Sequence, residues 1–406
     1  MHVLIGPNAS GKTTFLDTLG FLGSMLSEGV EAACLERSES SDFRDLTWNR
    51  TGEPFELVVE ASFPESIRHQ LAEPYDTIRY EIRIGTAEGS GAPGILEEKG
   101  WLLQKQSLKN SEEARNGFPM ELFPPESLFL LSKKKTTRLR VFSKVPGGND
   151  NYAVETRTRG KKSGAGAGWF PTIKLGMRKS TLANIPDDED KFPVSTWFRN
   201  LLAEGISRFS LNSIQLRKPS PFSKKAGFYP DGSNLPWVVH ILEQPENHDR
   251  YNWWINHVRT ALPELEGVHT QLRPEDRSRY LVLHYQGGLE VPAWMASDGT
   301  LRLLALTLLA YVPGFSKLCL IEEPENGIHP KAVETVFQAL SGVYDAQILL
   351  ATHSPVILGM AKPETLLCFR KTLSGSTDIV RGDRHPALKN WRGTVNLGEL
   401  YAGGVL

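Results

Sequence analysis

Gly6-Pro7-Asn8-Ala9-Ser10-Gly11-Lys12-Thr13 has the spacing G-x-x-x-x-G-K-[ST], and it lies between a short apolar run and a helix-like one. Those residue types suit a polyphosphate. Glycines let the backbone fold around the anion, and the main-chain N–H groups of Asn8, Ala9, Ser10, Gly11, Lys12, Thr13 and Thr14 can turn toward it. A helix starting there adds the positive end of its dipole. Lys12 would reach the β- and γ-phosphates of a nucleotide, and the Thr13 hydroxyl would ligate Mg²⁺.

Leu318-Cys319-Leu320-Ile321-Glu322-Glu323 is an apolar strand ending in two carboxylates. Phosphate hydrolysis needs one acid to hold the Mg²⁺ shell and another to polarise the attacking water. Glu322 suits the first role and Glu323 the second. Such a strand is commonplace alone; the phosphate loop gives its carboxylates their meaning. Thr352-His353-Ser354-Pro355 follows the next strand, where a histidine can contact the γ-phosphate and the water. Ser297-Asp298-Gly299-Thr300 precedes an apolar helix, and its serine or aspartate reads on its own as an N-cap.

These groups need a scaffold. Residues 2–5 read as a strand, 6–13 as the loop, and Thr13 to about Leu26 as a helix. Segments 55–63, 77–84, 95–103, 139–144 and 152–158 read as strands, several with the alternation of half-buried antiparallel ones. Pro146-Gly147-Gly148-Asn149-Asp150 reads as a hairpin turn, and the run GKKSGAGAG at 160–168 as a mobile loop. Residues 180–265 show helix spacing around Trp197, Leu235 and Trp254. A strand at 280–285, a helix at 300–311, a strand at 318–321, a helix at 330–343 and a strand at 348–352 follow. The ends of the chain thus read as α/β, with an antiparallel β segment and a helical segment between them.

Bulk composition narrows the function. The 406 residues are 40% hydrophobic and 23% charged, enough for a sizeable core. A net charge of -1 leaves no overall field to draw the protein onto nucleic acid or acidic lipid. Cys34, Cys319 and Cys368 form no CxxC pair, which argues against a zinc site or a disulfide framework and fits a reducing, cytoplasmic setting. The first residues lack the basic start of a signal peptide. The longest apolar run, Leu303 to Val312, is about half of what a membrane helix requires. The expectation is a protein without membrane contact. Lys133 to Lys162 is the exception to the charge balance. Its ten cations (Lys133, Lys134, Lys135, Arg138, Arg140, Lys144, Arg157, Arg159, Lys161, Lys162) face only Asp150 and Glu155, and they read either as a solvated hairpin face or as a contact for DNA or RNA.

In this order, the phosphate loop, Ser297-Asp298-Gly299-Thr300-Leu301-Arg302, Cys319-Leu320-Ile321-Glu322-Glu323-Pro324-Glu325-Asn326-Gly327-Ile328-His329-Pro330 and Ala351-Thr352-His353-Ser354-Pro355 resemble the ABC-type ATPases of the SMC, RecF and OLD branch. More narrowly they resemble its stand-alone prokaryotic members. Tyr229-Pro230-Asp231-Gly232-Ser233-Asn234-Leu235 and Leu397-Gly398-Glu399-Leu400 look like further motifs of that group, whereas 100–170 matches only in general architecture.

The resemblance implies an α/β P-loop NTPase of ABC type with an antiparallel β subdomain and a helical lobe. The expected division is 1–179, 180–289 and 290–406. It implies ATP and Mg²⁺ as ligands, with Thr13, Glu322 and a Q-loop glutamine toward the metal and Glu323 and His353 at the reacting phosphate. Gln215, read as the end of a strand entering the helical region, is the candidate glutamine, with Arg217 as a rival. Ser297, Asp298 and Gly299 would form the signature that meets the γ-phosphate bound on another subunit, hence a head-to-tail homodimer. Many relatives serve DNA maintenance or phage defence beside a separate effector protein.

The chain departs from relatives in opening on the loop's own strand, which leaves the adenine contacts to an upstream start or to another part of the protein. OLD-type relatives carry a C-terminal nuclease, whereas the segment after His353 has no cluster of acids or histidines for one. The expectation is the ATPase half of an assembly. The motor of a membrane transporter and a nucleotide-sensing scaffold with negligible turnover are the competing readings.

Overall fold

The computed structural model describes residues 1–86, 91–104, 115–121, 125–130, 138–156, 173–224, 227–389, 391, 393 and 395–406. In chain order, β1 (His2–Ile5) runs through the phosphate loop into α1 (Lys12–Glu28), followed by α2 (Val30–Leu35), β2 (Phe55–Ser62), the single turn α3 (Glu65–Arg68), β3 (Thr77–Thr86), β4 (Pro93–Leu103), β5 (Arg138–Lys144) and β6 (Asp150–Tyr152). Then come α4 (Pro193–Ala203), β7 (Ile206–Phe209), α5 (Ser213–Arg217), α6 (Leu235–Leu242), α7 (His248–Arg259), β8 (Leu265–Leu272), β9 (Arg279–Tyr285) and β10 (Leu289–Pro292). The last part holds α8 (Asp298–Leu308), β11 (Leu318–Glu322), α9 (Pro330–Ser341), β12 (Gln347–Ala351), α10 (Pro355–Met360), β13 (Leu366–Lys371), β14 (Thr377–Arg381) and α11 (Leu397–Ala402).

These elements fall into two compact units, one of residues 1–16, 112–122 and 207–406, the other of 17–111 and 123–206. That partition cuts across the expected boundaries at 179/180 and 289/290. The stretch 180–289 is not purely helical. It contains β7, which joins the main sheet of the first unit, and β8 and β9, which pair with β10 in a three-stranded antiparallel sheet.

The main sheet of the first unit has the strand order β14-β13-β1-β12-β11-β7. β1 pairs in parallel with both β12 and β13, β12 with β11 likewise, and β14 runs antiparallel to its neighbour β13. Flanked on both edges, β1 buries Val3, Leu4 and Ile5 completely. That is why it and β11 read as unbroken apolar runs, as strands covered on both faces do. Parallel register brings the carboxyl ends of β1, β11 and β12 to one side of the sheet, where open α/β sheets bind their ligands. The core of this unit includes Trp254, whose indole N–H donates to Thr307 Oγ1 at 3.0 Å, tying α7 to α8.

The second unit is built on an antiparallel sheet in the order β2-β3-β4-β5-β6. Tyr80, Phe142, Tyr152, Phe192 and Phe198 fill its core. Buried carboxylates pin the chain around them: Glu98 accepts from Tyr80 Oη at 2.9 Å, Ser180 Oγ at 2.7 Å and the main-chain N–H of Thr181 at 2.7 Å. A buried charge persists only with such partners. The same holds for Lys144, which the sequence placed in a solvated or ligand-binding basic face. It is instead buried and paired with Asp150 at 2.6 Å. Arg138 and Arg140 lie over the Trp101 ring, 4.9 and 5.9 Å from its centroid. Lys133, Lys134, Lys135, Arg157, Arg159, Lys161, Lys162 and the GKKSGAGAG run lie outside the described residues. The hairpin at 146–150 forms as expected, but the strand after it ends at Tyr152, short of the expected 158.

Candidate functional site

The site grows from the end of β1. A Cβ on Gly6 would stand 2.2 Å from the Phe369 carbonyl oxygen of β13, so only glycine lets the loop leave the sheet here. Ala9 takes a left-handed backbone (φ 60), and Ser10 N–H donates to the Pro7 carbonyl at 3.2 Å, which curls the loop back on itself. Inside the curl lies the buried Lys12 ammonium, donating to the carbonyls of Gly6 at 2.7 Å and Pro7 at 3.0 Å. Burial lowers the Lys12 pKa, while the nearby Glu323 and Glu322 carboxylates pull it back up. A cation so placed, at the head of the 17-residue α1, is suited to receive an anion.

β11 delivers the carboxylates. Thr13 Oγ1 donates to Glu322 Oε2 at 2.6 Å, and Arg208 of β7 donates to Oε1 of the same residue at 2.8 Å. Thr13 and Glu322 together offer the hard oxygen donors that a divalent cation such as Mg²⁺ accepts, so the donor set fits that ion. Glu323, directly after the strand, takes a left-handed backbone (φ 46), with its N–H donating to the Ala351 carbonyl at 2.8 Å. A non-glycine residue held in that region marks strain that the surrounding sheet maintains, a frequent feature of working sites. The twist turns the Glu323 side chain outward, where Asn326 Nδ2 donates to its Oε2.

β12 delivers His353. Glu325 Oε1 accepts both from the His353 main-chain N–H at 3.0 Å and from Thr352 Oγ1 at 2.7 Å. His353 Nδ1 lies 3.0 Å from Tyr401 Oη on α11. Glu323, Asn326, His353 and Ser354 border a pocket of 460 Å³. The geometry thus gathers Lys12, Thr13, Glu322, Glu323 and His353 at the carboxyl ends of three neighbouring parallel strands, an arrangement suited to binding a metal-bound polyphosphate and activating water beside it.

Ser297, Asp298 and Gly299 stand apart from that group. Ser297 is exposed and caps α8, its Oγ accepting from Thr300 N–H at 3.1 Å. Asp298 accepts from Arg217, which also donates to the Ala296 carbonyl at 2.9 Å. A Cβ on Gly299 would come within 2.6 Å of the Gly327 carbonyl, so this helix start packs on the loop after Glu323. Their described contacts run to Arg217 and Gly327, not to the phosphate loop.

Gln215 is corrected in position. It lies inside α5, whose N-terminus is capped by Asn212, and not at the end of a strand; Arg208, seven positions earlier, reaches Glu322. Asparagine at an N-cap signals such a helix in the sequence, and the alternation in Ile206-Ser207-Arg208-Phe209 marks the strand that presents Arg208. Sequence reasoning also left Glu325 and Tyr401 without roles, because their partners are set by chain crossings far from their own segments.

Residues 1–98 and 167–359 match the family model described as "AAA domain, putative AbiEii toxin, Type IV TA system". A stretch of 125 residues, 30% of this chain, is 27% identical to Protein ea59 of Escherichia phage lambda and spans 24% of that protein. Among solved structures the chain is similar to an Smc head bound to the C-winged helix domain of ScpA, at 14% identity and a TM-score of 0.49, covering 93% of this chain and 88% of that one. It is also similar to an Smc head with an extended coiled coil bound to the C-terminal domain of ScpA, derived from Pyrococcus furiosus, at 12% identity and a TM-score of 0.47, covering 93% and 89%.

Proposed function

The chain belongs to this AAA-domain family, and we propose that it is an ATP-binding and ATP-hydrolysing switch that closes head to tail as a homodimer and is read by DNA or a separate effector protein. The observation that carries the reading is the convergence of the phosphate loop, the Thr13–Glu322 pair, Glu323 and His353 on the ends of β1, β11 and β12. In the proposed cycle the Lys12 ammonium exchanges the Gly6 and Pro7 carbonyls for β- and γ-phosphate oxygens of ATP. Thr13 and Glu322 would hold Mg²⁺, which would neutralise phosphate charge. Glu323 accepts a proton from the attacking water, and the His353 imidazole steadies the γ-phosphate.

The dimer rests on Ser297. Its helix start is exposed, and its described contacts avoid the phosphate loop of its own subunit, so a second copy is the natural source of a γ-phosphate for it. The family description names a toxin of a toxin–antitoxin system, and the partial relative comes from a phage. Both support a role in conflict between phage and host. Sedimentation tests the switch. The Glu323→Gln chain, which should hold ATP without cleaving it, is expected to sediment as a dimer with ATP and Mg²⁺ and as a monomer without them. The added change Ser297→Arg should abolish the dimer. A Glu323→Gln chain that binds ATP yet stays monomeric would overturn the switch.

A further inference from the structure

We propose that Tyr401, on the last helix of the chain, is a positioning residue for His353: its hydroxyl donates to Nδ1 and so presents Nε2–H to the phosphate. The inference rests on the ATPase reading of the site and goes beyond it, to a residue outside the family match, which ends at 359.

Two separate holds act on His353. Glu325 fixes its backbone through the 3.0 Å bond from the main-chain N–H, which leaves the side-chain torsions free. Tyr401 fixes the ring, with Oη 3.0 Å from Nδ1. A neutral imidazole has one donor nitrogen and one acceptor nitrogen, so a partner at Nδ1 decides which of them Nε2 becomes. Phosphate oxygens only accept, so the ring assists them only with its proton on Nε2. In the neutral ring that leaves Nδ1 as the acceptor and Tyr401 as the donor. Burial, with the charge of Glu325 nearby, raises the Tyr401 pKa, so the phenol keeps the proton it has to give.

The helix that carries Tyr401 is seated closely. α11 lies on α10, the helix that starts two residues after His353, and a Cβ on Gly398 would fall 2.1 Å from the Pro355 carbonyl oxygen. Leu397 is buried beneath it, and Asn396 Oδ1 caps it by accepting from Glu399 N–H at 2.8 Å. In the Leu397-Gly398-Glu399-Leu400 motif, the glycine permits this close approach and Leu397 anchors it, and together they set Tyr401 against His353.

Tyr401→Phe removes the hydroxyl and keeps the ring. ATP affinity should stay within about twofold, while turnover should fall about tenfold, the effect of losing one orienting hydrogen bond. In a His353→Ala background the same change should have no further effect, whereas a merely structural role would lower turnover in both backgrounds. Nitrogen NMR of the histidine-labelled full chain, with His353 assigned by its loss in His353→Ala, gives a readout independent of turnover. In the wild type His353 should show a hydrogen-bonded Nδ1 acceptor with the proton on Nε2, and Tyr401→Phe should shift that Nδ1 signal. An unchanged Nδ1 signal, or equal losses in both backgrounds, would overturn the proposal. A wild type without ATP turnover would instead overturn the ATPase reading, and the NMR result would still decide whether Tyr401 holds the ring.

Discussion

Thr13 Oγ1 donates to Glu322 Oε2 across 2.6 Å, joining residues 309 positions apart. The bond exists because β1 and β11 flank β12 in parallel, so the loop after one strand and the last residue of the other end on the same side of the sheet. The other oxygen of Glu322 is held by Arg208, which is 43% exposed.

A guanidinium on Glu322 competes with a cation for the same carboxylate. Arg208→Ala should therefore lower the Mg²⁺ concentration needed for half-maximal nucleotide binding by about two- to fivefold, the range of a partly exposed ion pair worth up to about 1 kcal/mol. A fluorescent nucleotide titrated at stepped Mg²⁺ concentrations measures it. An unchanged or raised Mg²⁺ requirement would show that Arg208 supports the metal site and does not compete with it.

Gly6→Ala places a methyl group 2.2 Å from the Phe369 carbonyl oxygen, and that oxygen belongs to a sheet strand that cannot step aside. The change should cost about 1–3 kcal/mol of stability and displace the phosphate loop. Denaturant unfolding should show a lower midpoint, and nucleotide binding should be lost in the fraction still folded. Wild-type affinity in this variant would mean the loop can bind phosphate from another position.

In the second unit, Glu155 is fully buried at the start of α4 and accepts from Ser195 Oγ and from the main-chain N–H groups of Val194 at 2.7 Å and Ser195 at 3.1 Å. Burial pushes its pKa up to about 7, against the favourable effect of those hydrogen bonds. A folded-state pKa above the unfolded value means that the folded chain binds the extra proton. Stability from this group is complete below the unfolded pKa of 4.5 and declines as pH rises through about 7, by on the order of 3 kcal/mol in all. Glu155→Gln should flatten that part of the stability–pH curve. An equal slope in the variant would assign the decline to other groups.

Where the sequence was legible, the reason is burial. β1, β11 and β12 are covered on both faces, so they appear as apolar runs with sharp ends, and the chemistry sits at those ends. The loop at 6–13, Glu322, Glu323 and His353 could be placed for that reason. β7 alternates over only four residues, too few to stand out, and β13 and β14 mix apolar residues with Arg370, Lys371 and Arg381, which blurs their pattern. Yet β13 borders β1 and carries the carbonyl that forces glycine at position 6. Gln215 was misplaced because a cap, Asn212, acts over three residues, whereas the strand reading looked for alternation. Arg208, Glu325 and Tyr401 acquire their partners only through strand order and helix seating, which no local spacing records.

Lys12 and Glu323 divide binding from chemistry. Lys12→Ala should abolish nucleotide binding, because the β,γ-phosphate charge loses its buried cation. Glu323→Gln should bind ATP with near wild-type affinity and lose turnover by at least about a hundredfold, the usual worth of a general base. Single-turnover conversion of labelled ATP, with the protein in excess over nucleotide, separates the two directly. The wild type should convert bound ATP to ADP, while Glu323→Gln should retain it uncleaved. Cleavage by Glu323→Gln at the wild-type rate would contradict the assignment of the site.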